Sequence, residues 1–337
     1  MALPGSSKPA TLKDIARMAG VSAMTVSNAL NNRYGVSEKT KKRVCEVANQ
    51  LKYTPNQVAQ SLRSAKTQTI GVVMSDSSQY VFSQLLRGIE HAATKVGYSI
   101  LLANTDQKRA AESKAIDLLV SKRIDGLLLV APLSTEPEDI ARIQAMNVPF
   151  VFLMRTPSVP MVDYVTNDNY MGGYLGAGHL CRTRVNNVVF LALDSASGRD
   201  RMRGQAQCLR DNGLDISDCP VEWISPQIEE GYSAMKRILG KGYKKGTICC
   251  GCDIVAVGAI EAILENGFTI PHDFQLIGYD DFDMAPYLRT PLTTVRQPVY
   301  QIGEEGFGVL INRIDDPDSP YQSIILQPEL IVRKSTV

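Results

Sequence analysis

The stretch 11-TLKDIARMAGVSAMTVSNAL-30 decides how the first part of this 337-residue chain folds. It reads as helix, tight turn, helix. Thr11 has the chemistry of an N-cap, and Asp14, three residues on, can close a capping box. Leu12, Ile15, Ala16 and Ala19 recur at i, i+3, i+4 and i+7, so one face of the first helix is apolar. Gly20 and Val21 break that helix, and Ser22 can cap a second one running from Ala23 to Leu30. Thr25, Ser27, Asn28 and Asn31 give the second helix a polar side suited to the DNA major groove, whereas Val21, Val26 and Leu30 read as core. Ser37 can cap a third helix whose Val44, Val47, Ala48 and Leu51 complete a small three-helix core.

Charge follows the same division. Residues 1–66 carry eleven Lys and Arg against three Asp and Glu, a net +8, while the whole chain is only +1. The remaining residues therefore sum to −7. A basic head on an acidic body is the footprint of a phosphate-backbone binder.

Two strings are specific enough to name a family. Asp14 to Asn31 follows D-I-A-x-x-A-G-V-S-x-x-T-V-S-x-x-L-N, and Tyr53 to Leu62 follows Y-x-P-N-x-x-A-x-S-L. On these strings the chain resembles the LacI/GalR family of bacterial transcription regulators, essentially end to end. The resemblance implies a helix-turn-helix domain over 1–54, a hinge helix and linker over 55–67, and an effector-binding and dimerisation domain over 68–337. It places Ala23, Met24 and Asn28 where the family reads bases. Asn28 can bond an adenine edge; Ala23 and Met24 offer apolar contact. Ser22, Thr25 and Ser27 would position the helix on phosphates. Asn56, Ala59 and Leu62 fall on the hinge helix, with Asn56 as its cap. The family's hinge helices form on operator DNA, where a leucine at the Leu62 position wedges between base steps. The plainer alternative for this segment is an interdomain linker.

The body of about 270 residues can hold one large or two smaller α/β domains. Apolar runs beginning at Thr69, Tyr98, Gly126, Phe150, Val188, Thr247 and Phe274 alternate with helical patterns over 82–96, 112–122, 171–181, 201–212 and 254–265. Such alternation predicts parallel sheets covered on both faces. The fold class is α/β with a small all-α helix-turn-helix head, and the body resembles the periplasmic-binding-protein fold, which implies two doubly wound parallel-sheet subdomains. The resemblance implies crossings near Asn167–Asp168, Gln297–Pro298 and Leu326. These divide the body into an N-subdomain (about 68–167 and 298–325) and a C-subdomain (about 168–297 and 326–337).

Ligands of such sheets bind beyond the carboxyl ends of the strands. Polar residues following apolar strands are Ser75, Asp76, Asn104, Thr105, Arg155, Asn167, Asp168, Asp253 and Asp280. For each of these alone, a helix cap or a salt bridge is the plain structural reading. The resemblance adds Arg201, in SGRDRMRG, and Asp280, in IGYDD, as the family's regular effector contacts, and Phe82 as a pocket wall. An Arg–Asp pair can grip vicinal hydroxyls, and the arginine can fork onto a carboxylate. The implied effector is a sugar or sugar acid, with Arg155 and Arg199 as further positive charge for an acid or phosphate.

Seven cysteines without framework spacing read as reduced thiols. Cys249 and Cys250 are adjacent on a strand and point to opposite faces, which argues against a metal site in Cys249-Cys250-Gly251-Cys252. The three histidines form no HExxH motif, and no nucleophile elbow is present. No run is long enough for a membrane helix, and the N-terminus lacks a signal-peptide core. The expectation is therefore a cytoplasmic, homodimeric repressor with no cofactor, metal or catalytic residue. Its partners are pseudo-palindromic operator DNA and a small-molecule effector. Two alternatives fit part of the chain: a sugar-binding or sugar-modifying enzyme with a basic head, and a ligand-independent architectural DNA-binding protein.

Overall fold

The computed structural model describes residues 10–30, 34–53, 66–130, 136–183 and 187–337, and the chain divides into units Met1–Thr67 and Gln68–Val337. In the first unit, α1 spans Leu12–Ala19. The Thr11 side chain accepts from the Asp14 N–H, and the Asp14 carboxylate accepts from the Thr11 N–H, completing the capping box. Gly20 ends this helix at φ 67, a left-handed conformation that glycine adopts freely. The second helix, α2, spans Ala23–Leu30, with the Thr25 N–H donating to Ser22 Oγ at 3.0 Å. Ser37 caps α3, Glu38–Gln50. Ile15, Ala19, Val26, Ala29 and Val44 are buried together where the three helices meet.

The second unit contains two six-stranded sheets. The first uses β1 (Thr69–Met74), β2 (Ser99–Asn104), β3 (Gly126–Val130), β4 (Phe150–Leu153), β5 (Asp163–Asn167) and β11 (Ser323–Leu326). Their order is β11-β5-β4-β3-β1-β2, parallel throughout. The second uses β6 (Val188–Leu193), β7 (Val221–Ile224), β8 (Gly246–Cys250), β9 (Phe274–Asp280), β10 (Thr293–Arg296) and β12 (Glu329–Ile331), in the order β12-β10-β9-β8-β6-β7. Here β12 runs antiparallel to β10, an edge strand that departs from the all-parallel expectation. Nine helices among the described residues cover these sheets: α4 (Tyr80–Lys95), α5 (Arg109–Ser121), α6 (Pro137–Gln144), α7 (Asn169–Cys181), α8 (Ala196–Asp211), α9 (Ile228–Gly240), α10 (Asp253–Glu265), a 3-10 turn at Ala285–Tyr287, and α11 (Val299–Asp315).

The chain passes between the sheets three times: from β5 into α7, from β10 into α11, and from β11 into β12. Two of these crossings lie side by side. Asn167 is the register partner of Leu326, and the Asp168 N–H donates to Leu326 O at 3.0 Å. The third leaves β10 at Arg296, the register partner of Asp280. Strand ends and crossings therefore converge on one region.

Burial on both faces holds for central strands but not for the edges. Leu101 and Leu102 on β2 are 39% and 41% exposed, and Val221 and Trp223 on β7 are 36% and 46% exposed. Cys249 faces the core of α7 and α8, whereas Cys250 faces that of α9 and α10, as strand alternation requires. No helix among the described residues is long and apolar enough to cross a membrane.

Candidate functional site

The head presents the outer side of α2. Val26 and Ala29 are buried in the three-helix core, which turns Ser22, Ala23 and Met24 outward; Met24 is 70% exposed. Thr25, Ser27 and Asn28 are half-buried beside them. Ser22 and Thr25 share a hydroxyl contact of 2.9 Å that stiffens the first turn. Asn31, Asn56, Ala59 and Leu62 lie outside the described residues.

In the body, the close approach of α7 and α8 sets the site. A Cβ on Gly173 would lie 2.0 Å from Arg201 O, and one on Gly204 would lie 1.9 Å from Tyr170 O, so both positions demand glycine. This packing delivers Arg201, 7% exposed in its side chain, to the ends of β8 and β9. Its Nη1 donates to Gly251 O at 2.8 Å and reaches Asp280 Oδ1 at 3.5 Å, and its Nε donates to Asn169 Oδ1 at 2.9 Å. The guanidinium carbon lies 3.8 Å over the Tyr279 ring centroid. Asn167 Nδ2 donates to Asn169 Oδ1 and to the Tyr279 hydroxyl, each at 3.3 Å. Gln297 Nε2 donates to Asp280 Oδ1 at 2.6 Å.

Asp280 is the strained member. Its φ is 117 and that of Asp281 is 53, a pair of left-handed residues at the end of β9. Burial pushes the Asp280 carboxyl up to about 6 against the opposing pull of Arg201 and the Gln297 amide. Across the opening, the Tyr80 hydroxyl at the start of α4 donates to Asp283 Oδ1 at 2.9 Å, and the rings of Tyr80 and Phe282 meet edge to face.

The other nominated residues take different positions. Asp253, expected at the effector, is wholly buried. Its Oδ1 accepts from Thr294 Oγ1 at 2.6 Å and its Oδ2 from the Phe282 N–H at 3.0 Å, so it anchors the loop after β9 instead. The lack of a side chain on Gly278 makes this possible, since a Cβ there would sit 2.1 Å from Asp253 Oδ1. Asp168 caps α7 through the Met171 N–H. Asp76 accepts from the Ser78 N–H and hydroxyl, which hold its carboxyl below the usual range. Asn104 accepts from the Ser77 N–H, so these two residues shape the loop between β1 and α4. Ser75 is buried at the end of β1, and Phe82 packs on the core of the first sheet. Arg155 is half-buried toward Glu112, and its desolvation lowers its pKa. Asn169, Tyr279 and Gln297 enter the cluster without having been nominated. Their only sequence signal was position: each sits at a crossing or directly before Asp280.

Head and body both have counterparts among known proteins. The model for bacterial regulatory proteins of the lacI family matches residues 11–56, and that for periplasmic binding proteins and the sugar-binding domain of the LacI family matches residues 67–333. The chain belongs to the LacI family. Among similar family members, the HTH-type transcriptional repressor PurR of Mannheimia succiniciproducens is 32% identical, the match covering 97% of this chain and 98% of that protein. The ribose operon repressor of Escherichia coli is also 32% identical, over 97% and 99%. A crystal structure of the Lac repressor dimer bound to operator and the anti-inducer ONPF aligns with a TM-score of 0.88 at 28% identity, covering 98% of this chain and all of that one.

Proposed function

We propose that this LacI-family member is a transcriptional repressor that works as a homodimer. Two heads would read the half-sites of a pseudo-palindromic operator, and a small molecule bound between the sheets of the body would control them. The observation that carries the reading is the joint, nearly full-length match of head and body to proteins named as repressors. The exposed face of α2 supports base reading by Asn28, Met24 and Ala23, with Ser22, Thr25 and Ser27 toward phosphates. Asn31, Asn56, Ala59 and Leu62 complete the proposed DNA contacts. The uncovered apolar residues on β2 and β7 suit burial against a second copy, whose two-fold axis the operator would mirror.

Control follows from the three crossings. A ligand that prefers one arrangement of the two sheets shifts the population toward it, and operator affinity shifts by the coupling free energy. The residues proposed to meet that ligand are Arg201 and Asp280, with Ser75, Asp76, Phe82, Asn104, Arg155 and Asp168 shaping the surround. No acid–base pair or nucleophile is needed, and the chain is read as a non-enzyme acting on DNA in the cytoplasm.

Selection of bound duplexes from a random DNA library by the full-length chain tests the proposal. The expected product is a two-fold symmetric consensus. Recovery of asymmetric or unrelated sequences would refute it.

A further inference from the structure

Four cysteines gather in one place that the proposed function does not use. Cys208 and Cys249 are buried in the core where α7 and α8 pack on the second sheet, and Cys181 and Cys219 pack against that core. All four thiols are free.

The seam between α7 and α8 singles out one pair. The close approach of Gly173 to Arg201 O fixes the register of the two helices. Two turns further along each, about seven residues, the same sides meet again. That step brings the end of α7, at Leu180 and Cys181, opposite Cys208 on α8. Contacts agree with the register. A Cβ at Gly178, one turn before Cys181, would meet Cys208 Sγ at 3.6 Å. The thiols of Cys181 and Cys208 hydrogen-bond to each other.

The two sulfurs differ in access and acidity. Cys208 is 1% exposed, whereas Cys181, the last residue of α7, is only half-buried and open to a small solute. Burial pushes both thiols up, Cys208 to about 11. Their shared hydrogen bond raises Cys208 and lowers Cys181, so the Cys208 S–H donates and the Cys181 sulfur accepts. Cys181 is therefore the member that ionises first and the one an oxidant can reach. The neighbouring thiols are worse placed. Cys249 is 1% exposed and pushed far up by burial. Cys219 is raised by burial and by the nearby Asp215 and Asp218.

We propose that Cys181 and Cys208 form an oxidation site, a dithiol that a peroxide closes to a disulfide across the α7–α8 seam. The Cys181 thiolate attacks one oxygen of hydrogen peroxide. The O–O bond breaks, Cys181 becomes a sulfenic acid, and the departing hydroxide takes a proton from solvent to give water. The Cys208 sulfur then attacks the Cys181 sulfur. The S–S bond forms as the S–O bond breaks, and the hydroxyl leaves with the Cys208 proton as a second water. The sulfurs together give up two electrons, which the peroxide gains. The resulting bond ties α7, the helix that follows one crossing, to α8, the helix that carries Arg201.

The test is disulfide mapping on the reduced full-length chain after treatment with hydrogen peroxide. Remaining thiols are blocked with N-ethylmaleimide in denaturant, and the chain is cut with trypsin without reduction. The expected product is the peptide Gly204–Arg210 joined to Thr156–Arg182, released by dithiothreitol. Under the same treatment, Cys208→Ser should leave Cys181 as a sulfenic acid that dimedone traps. The melting temperature of the oxidised chain should rise by about 3 °C or more and return on reduction. Linkage of Cys181 to Cys219 or Cys249 would overturn the proposal. So would a bond between two copies of the chain, dimedone on Cys208 in place of Cys181, or a lower melting temperature after oxidation. Recovery of both residues as maleimide adducts from peroxide-treated chain would overturn it too.

Discussion

Replacing Arg201 with methionine keeps the apolar stem over Tyr279 and deletes the charge. Asp280, with a side chain only 12% exposed, then has no cation, and Gly251 O loses its donor. Removing one partner of a buried ion pair costs about 3–5 kcal/mol. Asp280 already stands at about 6 rather than the ordinary 3.8, so its ionised form is disfavoured by about 3 kcal/mol even with Arg201 in place. Without Arg201 its folded pKa rises further. A carboxyl whose folded pKa is raised destabilises the fold above that pKa. The penalty is relieved as the pH falls through the folded value toward the unfolded one. The loss should therefore be large at pH 7.5, about 10 °C in Tm at roughly 2–4 °C per kcal/mol. At pH 5 the acid is neutral and only the lost carbonyl contact remains, about 1–2 kcal/mol or near 4 °C. Calorimetry of ligand-free full-length protein at both pH values, each variant beside its parent, reads this directly. Equal losses at the two pH values would refute the claim that Asp280 depends on Arg201 for its charge.

Gly204→Val should be still more disruptive, because its Cβ would meet Tyr170 O at 1.9 Å; loss of the cooperative melting transition of the body checks it. Asn28→Ala should flatten the selected consensus at one base pair per half-site, a discrimination of about 1–3 kcal/mol, and an unchanged profile would remove Asn28 from base reading. Arg313 Nε and Nη2 hold the 2%-exposed Asp163 side chain at 2.8 and 3.2 Å, so Arg313→Met should cost about 3–5 kcal/mol in chemical denaturation. Burial pushes the thiols of Cys249 and Cys250 far up, so iodoacetamide should leave both unlabelled in native protein and label them after unfolding, as read by peptide mass spectrometry.

The head was legible because its signals are local: the Thr11–Asp14 box, the turn at Gly20 and the Ser37 cap each act within four residues. Central strands such as Val188–Leu193 announced themselves as unbroken apolar runs. Strand β5, DYVTN, did not, because the partners of its Asp163, Arg313 and the Gln322 N–H, lie about 150 residues or more away. The apolar run on β2 was legible as a strand but misleading about cover, since sequence does not say which strand lies at an edge. In the site, Asp280 and Arg201 stood out by motif. Asp253 was nominated only as a polar residue after a strand, and the three-dimensional partners Thr294 and Phe282 make it an anchor. Asn167 and Gln297 carry a polarity set by a chain of hydrogen bonds through Arg201 and Asp280, which no spacing in the sequence encodes.

The three crossings also set a timetable for synthesis. Neither sheet is contiguous: the first lacks β11 and the second lacks β12 until residues 323–331 have been made. The head, by contrast, needs only residues up to about 53 for its core. At about 5–20 residues per second, a head that can already fold precedes a finished body on the order of tens of seconds. Nascent chains would pass that interval with a formed DNA reader and an unfinished ligand-sensing body. Any pairing of heads that depends on completed bodies must wait until β11 and β12 have been made.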